Sequence, residues 1–267
     1  MSPRRVEVQG ASIAVEVAGS GDPVLLLHGF PATGRLWSGV TPALAAAGFT
    51  AVVPDLVGYG ASSAPEGLRI DMASQATWLL GLLDALGFDR AAVVAHDVGT
   101  AAAQLLVTRA APRVRGLVLM DGVLGANWAM EAITGIQAWD PADAHRLPPV
   151  LLRRLGKTAV MREVLSAYRG AEGGLQLIRA ARDLEPAQTA DLHDVLRSCG
   201  VPALVLWGER DAYFPVERVA RPLAQLLSAP LRLVPGAHFS PADCPAEVAA
   251  ALVEFLRGLP REPGQAP

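Results

Sequence analysis

The sequence has few cysteines and no long, uninterrupted hydrophobic run. Cys199 and Cys244 are the only two cysteines and neither has metal-ligand spacing, so neither a disulfide framework nor a zinc site is indicated. The N-terminal arginines are not followed by the apolar stretch that a secretory signal needs, so we expect a cytoplasmic protein. Residues 36–54 carry no charge, but glycine and proline interrupt them, which predicts a buried helix and a strand instead of a membrane span.

The net charge is also small, which argues against strongly charged partners. A formal charge of -3 gives no long-range attraction to phosphate backbones or anionic lipid, so we expect neither nucleic acid nor a membrane as a partner. Hydrophobic residues make up 51% of the 267 residues and charged residues 18%, which predicts one globular unit with a sizeable core. We therefore expect a monomer or homodimer that acts on a small molecule.

Continuous apolar runs of strand length alternate with helical segments along most of the chain. Such runs are typical of strands buried on both faces of a parallel sheet, whereas residues 6–18 alternate as an edge strand pair does. This order predicts an α/β fold with right-handed connections and helices on both faces of a mostly parallel sheet. The runs are 22–27, 50–53, 91–95, 114–120, 201–207 and 231–234, and the predicted helices are 70–86, 98–111, 216–227 and 246–257.

The alternation stops after Gly125 and resumes near Gly200. Helical sequence with several prolines fills this interval, which predicts a helical cap over residues 125–196, inserted into a core of residues 1–124 and 197–267. The last residues, 259–267, are predicted to be a frayed tail.

The segment VAHDVGT, residues 94–100, follows an apolar strand and precedes an alanine-rich helix. Asp97 therefore occupies a sharp strand-to-helix turn. A nucleophile in such a turn needs small residues two positions before and after it, and Ala95 and Gly99 meet that requirement. An aspartate that only caps the helix is the alternative interpretation.

Four further motifs each follow a predicted strand. They are HGFP at 28–31, DLVGYGAS at 55–62, WGERDAYFP at 207–215 and PGAHF at 235–239. With the turn at Asp97, they resemble the α/β-hydrolase family over most of the chain, in particular its epoxide hydrolase and dehalogenase branch. The resemblance implies the α/β-hydrolase fold with an inserted helical cap. Ser62 follows the wrong strand for a serine nucleophile and lacks the required downstream glycine.

The resemblance also implies roles for individual residues. Asp97, Asp211 and His238 correspond in chain order to nucleophile, acid and base. Asp121, after the strand at 114–120, is a second candidate for the acid because some dehalogenases place it there. The backbone N–H groups of Phe30 and Val98 are expected to form the oxyanion hole.

An aspartate nucleophile implies displacement at a saturated carbon, since a carboxylate is already anionic at neutral pH. The product is an ester of Asp97, which water activated by His238 hydrolyses, and no cofactor is needed. Tyr168 resembles the cap tyrosine that donates a proton to an epoxide oxygen, although no second tyrosine occurs between Gly125 and Ser166. The candidates for substrate contacts are His28, Trp37, His96, Trp128 and Trp139, with Arg35 as a possible anion contact.

Two positions argue against a haloalkane substrate. Haloalkane dehalogenases usually carry tryptophan after the nucleophile and asparagine after the HG pair, where this chain has Val98 and Phe30. Arginine after the nucleophile, usual in haloacetate dehalogenases, is likewise absent. The order of hypotheses is epoxide hydrolase, then a haloacid or haloalkane dehalogenase, then a binding protein or non-hydrolytic biosynthetic enzyme on the same fold. A cap rich in alanine, leucine, isoleucine and tryptophan favours a largely apolar substrate.

Overall fold

A computed structural model of the protein describes residues 4–65 and 67–260, so residues 261–267 of the predicted tail lie outside the described part. The described residues form one sheet of eight strands in the order β1-β2-β4-β3-β5-β6-β7-β8. The pairings β1–β2 and β2–β4 are antiparallel, and all the others are parallel. The strands are β1 Arg4–Val8, β2 Ala11–Ala18, β3 Asp22–Leu27, β4 Phe49–Pro54, β5 Ala91–His96, β6 Val114–Met120, β7 Ala203–Gly208 and β8 Leu231–Val234.

Alternate residues of the central strands supply two separate cores. Leu25 and Leu27 of β3 belong to one hydrophobic cluster, and Val24 and Leu26 belong to the other. All four side chains are fully buried. A strand buried on both faces has no polar positions, which is why it reads as a continuous apolar run. The prediction of a mostly parallel sheet covered on both faces is confirmed.

The helices of the described residues agree with the sequence pattern apart from one boundary. The helix expected from residue 216 begins at Ala220, because the carbonyl of Pro215 accepts the N–H groups of Arg218 and Val219 in a separate turn. The helices are α1 Thr41–Ala46, α2 Met72–Ala85, α3 Gly99–Ala110, α4 Thr134–Gln137, α5 Leu147–Leu155, α6 Ala159–Leu165, α7 Gly170–Arg182, α8 His193–Ser198, α9 Ala220–Leu227, α10 Ser240–Asp243 and α11 Pro245–Arg257. None of these is long and apolar enough to cross a membrane.

Helices α4 to α8, with three short 3₁₀ turns, lie between β6 and β7, in the interval predicted as the cap. They are tied to the loop before α2 by polar contacts. Asp183 accepts the N–H of Ile70 at 2.7 Å, and Glu185 forms an ion pair with Arg69 at 2.8 Å. These contacts hold the helical segment over the carboxyl ends of the parallel strands, which is where open α/β sheets bind ligands.

Candidate active site

Asp97 lies at the turn between β5 and α3, with its backbone in the left-handed region at φ +55°. This conformation is costly for a residue with a side chain and is found mainly where the surrounding structure enforces it. The turn packs so closely that neighbouring positions must be glycine. A Cβ on Gly29 would lie 2.7 Å from Asp97 Cγ and closer still to its Oδ1, and a Cβ on Gly122 would lie 2.6 Å from the Asp97 carbonyl oxygen.

The backbone N–H of Phe30 holds the Asp97 carboxylate by donating to Oδ1 at 2.7 Å. The backbone of Val98, the next residue, helps to lower the pKa of this carboxylate. Phe30 comes from the loop after β3, and Val98 precedes the first turn of α3. These are the two groups that the sequence predicts for an oxyanion hole, and they converge on the predicted nucleophile.

His238, in the loop after β8, lies between two carboxylates. Its Nδ1 donates to Asp211 Oδ2 at 3.1 Å, and its Nε2 lies 3.4 Å from Asp97 Oδ2. Asp211 is fixed in turn, because its Oδ1 accepts the N–H groups of Tyr213 and Phe214 at 2.8 and 3.0 Å. The three side chains are almost fully buried. The structure therefore brings Asp97, Asp211 and His238 together in the arrangement expected of nucleophile, acid and base.

The two carboxylates control the proton on His238. Burial lowers the pKa of His238, but the hydrogen bonds to Asp211 and Asp97 and the charges of both carboxylates outweigh burial and raise that pKa to about 10. Burial alone would raise the pKa of Asp97, yet the hydrogen bond and the charge of His238 hold it below its usual value. At neutral pH the pair is an imidazolium and a carboxylate.

Asp121, the second candidate for the acid, has other partners. Its Oδ1 accepts the N–H of Gly208 at 2.6 Å, and its Oδ2 accepts the hydroxyl of Ser240. Burial, followed by the negative charge of Asp211, raises the pKa of Asp121 well above its usual value. The His238 ring donates to Asp211 and not to Asp121, so Asp121 links the end of β7 to the start of α10 beside the triad.

Three of the residues expected to contact substrate do not line the cavity beside Asp97, and the structure corrects that assignment. His28 accepts the N–H of Leu56 through Nε2 at 2.9 Å, because its ring is enclosed beneath the loop after β4. His96 donates through Nε2 to the carbonyl of His238 at 2.7 Å, and burial lowers its pKa to about 4. Trp37 is fully buried in the core cluster on the other face of the sheet.

The cavity beside the triad has a volume of about 250 Å³ and lies between the sheet edge and the cap. Asp97, His238, Trp128 and Trp139 are among its lining residues. Glu131 and Arg154 are the charged residues of the cap in the lining. The remaining lining residues are mostly apolar: Phe30, Pro31, Ala129, Ala132, Ile133, Gly135, Ile136, Leu147, Val150, Leu151, Leu155, Tyr213, Phe214 and Phe239.

The indole N–H groups of both cavity tryptophans are already hydrogen-bonded within the protein. Trp128 Nε1 donates to Thr189 Oγ1 at 2.8 Å and to the carbonyl of Gly125 at 3.1 Å. Trp139 Nε1 donates to the carbonyl of Asp143 at 3.2 Å. The two tryptophans therefore present apolar ring surface to the cavity.

Tyr168 and Arg35 also lie outside the cavity lining, in contrast to the sequence-based expectation. The hydroxyl of Tyr168 donates to the carbonyl of Ala32 at 2.9 Å, and the side chain is buried under the cap. Arg35 is largely exposed and forms an ion pair with Glu163. Neither group is directed at the carboxylate of Asp97.

Tyr213 and Phe214 line the cavity but were missed by the sequence reasoning. Both occupy unspecified positions of the WGERDAYFP segment, so the motif gave them no role. Their rings pack on His238, with centroid distances of 4.8 and 5.7 Å. The signal that could have identified them was their closeness to Asp211, since residues that follow a triad acid directly must stay near the base. Among residues 4–65 and 67–260, no cluster of three His, Cys, Asp or Glu side chains is arranged to hold a metal ion.

Known proteins resemble this chain in sequence and in fold. The sequence profile of the alpha/beta hydrolase fold matches residues 22–155. Epoxide hydrolase A of Mycobacterium tuberculosis is 32% identical over 319 aligned positions, which cover 96% of this chain and 97% of the relative. Haloalkane dehalogenase 2 of Mycobacterium bovis is 29% identical over 260 positions, 88% of each chain.

Among solved structures, a thermophilic esterase from Thermogutta terrifontis superposes with a TM-score of 0.75 at 26% identity, covering 96% of this chain and 97% of that one. The three similar proteins are named for three different reactions. The choice among reactions therefore depends on the residues of the site.

Proposed function

The chain belongs to the α/β-hydrolase fold family, and from that premise we propose that it is a hydrolase that uses Asp97 as its nucleophile and opens epoxides to vicinal diols. The observation that carries this proposal is the Asp97 carboxylate, which lies at the strand-to-helix turn, hydrogen-bonded by Phe30 N and adjacent to His238. A carboxylate at this position attacks saturated carbon, whereas ester hydrolysis by a serine would require a hydroxyl there.

The reaction has two half-reactions. In the first, an oxygen of Asp97 attacks a ring carbon of the epoxide, the ring C–O bond breaks, and an alkyl ester of Asp97 forms. In the second, His238 removes a proton from water, which attacks the carbonyl carbon of that ester. The N–H group of Phe30, which donates to the carboxylate in the free enzyme, and the N–H group of Val98 stabilise the oxyanion that develops at this carbon.

The donors around the cavity favour an epoxide over a halide. A departing halide needs N–H groups that solvate an anion, yet the indole N–H groups of Trp128 and Trp139 donate to protein oxygens. The backbone amide of Phe30 is directed at Asp97 itself. The aromatic and aliphatic lining suits a largely apolar substrate, such as an aryl epoxide.

Dehalogenation remains the second candidate, because the same three residues can displace a halide from carbon. It is favoured by the similarity to haloalkane dehalogenase 2 over 88% of the chain. A substrate panel separates the two. We expect diol from styrene oxide-like epoxides and no halide from haloalkanes or haloacetates.

Labelling tests the covalent step directly. In a single turnover in ¹⁸O-water, the label should enter the carboxylate of Asp97, because water attacks the carbonyl carbon of the ester and the diol takes its new oxygen from Asp97. The Asp97→Asn variant should form no ester, whereas His238→Gln should form the ester and retain it. Halide release without diol would replace the epoxide proposal with dehalogenation, and label found only in the diol would exclude the alkyl-enzyme mechanism.

A further inference from the structure

The ring-opening step needs a proton donor that the expected cap tyrosine does not supply. When the C–O bond of an epoxide breaks, the oxygen leaves as a basic alkoxide unless an acid protonates it. The chain has three tyrosines. The Tyr168 hydroxyl is bonded to the carbonyl of Ala32, and Tyr59 is fully buried with its hydroxyl unpartnered. Neither residue lines the cavity.

Tyr213 is the tyrosine that lines the cavity together with Asp97 and His238. Its ring lies edge-on to the ring of His238, with 4.8 Å between centroids. Its backbone N–H donates to Asp211 Oδ1 at 2.8 Å, which fixes the residue next to the triad. Within the described part of the chain, its hydroxyl has no hydrogen-bond partner, and the side chain is only partly buried.

These observations point to Tyr213 as the acid that protonates the epoxide oxygen, an inference that rests on the proposed function. The carboxylate of Asp97 forms the new C–O bond while the ring C–O bond breaks. The electron pair of the broken bond goes to the ring oxygen, which takes the phenolic proton of Tyr213. The products of this half-reaction are a hydroxyalkyl ester on Asp97 and a tyrosinate.

The second half-reaction returns the proton. The imidazolium of His238 first gives its proton to the tyrosinate, which restores the phenol of Tyr213 and leaves a neutral imidazole. Water then loses one proton to His238 and adds to the ester carbonyl, and the diol oxygen leaves with that proton. Asp97 is released as a carboxylic acid, whose proton passes to His238 and restores the imidazolium and carboxylate of the free enzyme. One water is consumed and one diol formed, with no other reactant.

His238 is the competing donor, because it also lines the cavity and its Nε2 lies 3.4 Å from Asp97 Oδ2. Unlike the hydroxyl of Tyr213, both ring nitrogens of His238 face carboxylates. Nδ1 donates to Asp211, and Nε2 faces the oxygen of Asp97 that must attack the substrate. The two donors predict different behaviour of Tyr213→Phe, which keeps His238 in place: this variant forms the ester as fast as the wild type if His238 is the acid, and slowly if Tyr213 is the acid.

The test measures ester formation and ester hydrolysis separately. Wild type, Tyr213→Phe, Tyr168→Phe and His238→Gln are mixed with styrene oxide, quenched on the millisecond scale, and the adduct on Asp97 is quantified by intact mass. Tyr213→Phe should form the ester about 100-fold more slowly, a typical contribution of general acid catalysis. Tyr168→Phe should form it within about threefold of the wild-type rate, since general acid catalysis would contribute far more, and His238→Gln should form the ester and retain it.

A trifluoromethyl-substituted epoxide supplies the control for misfolding. Its departing oxygen is less basic and depends less on an acid, so the deficit of Tyr213→Phe should shrink to below about tenfold, as Brønsted behaviour requires. The ester formed from it should hydrolyse at the wild-type rate, because the variant retains Asp211 and His238. A structural defect would slow both half-reactions with both substrates.

The outcomes separate the two proposals. Wild-type diol formation through the Asp97 ester, with Tyr213→Phe as fast as wild type, would overturn the role of Tyr213 alone. Slow ester formation in Tyr168→Phe or His238→Gln, with a normal Tyr213→Phe, would assign the proton to that residue instead. Absence of any ester in the wild type would overturn the proposed function and this inference together.

Discussion

The charge on His238 makes the stability of the protein depend on pH in a definite direction. The two neighbouring carboxylates raise the pKa of His238 from 6.5 to about 10 in the folded state. A group whose pKa is raised by folding stabilises the protein fully below its unfolded pKa, and this contribution is lost as the pH rises through the folded value. The window of loss therefore runs from pH 6.5 to about 10.

The size of the effect follows from the same shift. Each pKa unit corresponds to about 1.4 kcal/mol, so the free energy of unfolding should fall by about 3 kcal/mol between pH 6.5 and pH 9 through this residue alone. The fall is steep because the side chain of His238 is 8% exposed and solvent screens its two ion pairs little. The His238→Gln variant has no such charge and should lose much less stability over the window.

Urea denaturation at several pH values across this window measures the difference. The matched control is His145→Gln, which replaces an exposed histidine and should follow the wild-type pH dependence. Comparison of the three proteins removes contributions from other titrating groups, which all three share. Parallel loss of stability in wild type and His238→Gln would refute the view that Asp97 and Asp211 hold a proton on His238.

Three other perturbations have definite expected outcomes. Gly29→Ala should slow ester formation by more than about 100-fold, because its Cβ would overlap the Asp97 side chain and the reaction rate is sensitive to shifts of about 1 Å. Circular dichroism should show little loss of secondary structure in this variant. Asp121→Ala should lower the free energy of unfolding, measured in urea, by about 2–4 kcal/mol, because the N–H of Gly208 and the hydroxyl of Ser240 lose their acceptor. Asp121→Asn keeps one acceptor oxygen and should lower the free energy of unfolding less. Chloride and bromide should leave tryptophan fluorescence unchanged because both cavity indoles donate to protein oxygens, and saturable quenching would favour the dehalogenase alternative.

The sheet and the positions of Asp97, Asp211 and His238 could be predicted because both depend on local sequence. A strand buried on two faces must be continuously apolar. The sequences of β3 and β5 therefore identify them as buried strands without knowledge of the strands that pair with them. The carboxyl ends of parallel strands share one edge of the sheet, so residues that follow different strands converge there. The sequence spacing between these residues is then irrelevant to their distance in space.

The cap could not be predicted in the same way, because the direction of a side chain on a short helix depends on how the helices pack. Tyr168 has the sequence context of a cap tyrosine, yet its hydroxyl reaches the carbonyl of Ala32. A Cβ on Gly173 would overlap the Tyr168 backbone, so α7 packs directly against this residue and fixes it. The Tyr168-Arg169 pair alone does not predict that packing, since it depends on the whole helical segment.

The proton on His238 also affects how this residue acts in the two half-reactions. In the free enzyme the imidazolium stabilises the Asp97 carboxylate, but a protonated imidazole cannot accept a proton from water. Formation of the ester neutralises Asp97 and removes its hydrogen bond and charge, which are among the causes that raise the pKa of His238. Burial, which lowers that pKa, is then opposed only by Asp211. Under the proposed mechanism, alkylation of the nucleophile itself therefore converts His238 into the base that the second step requires.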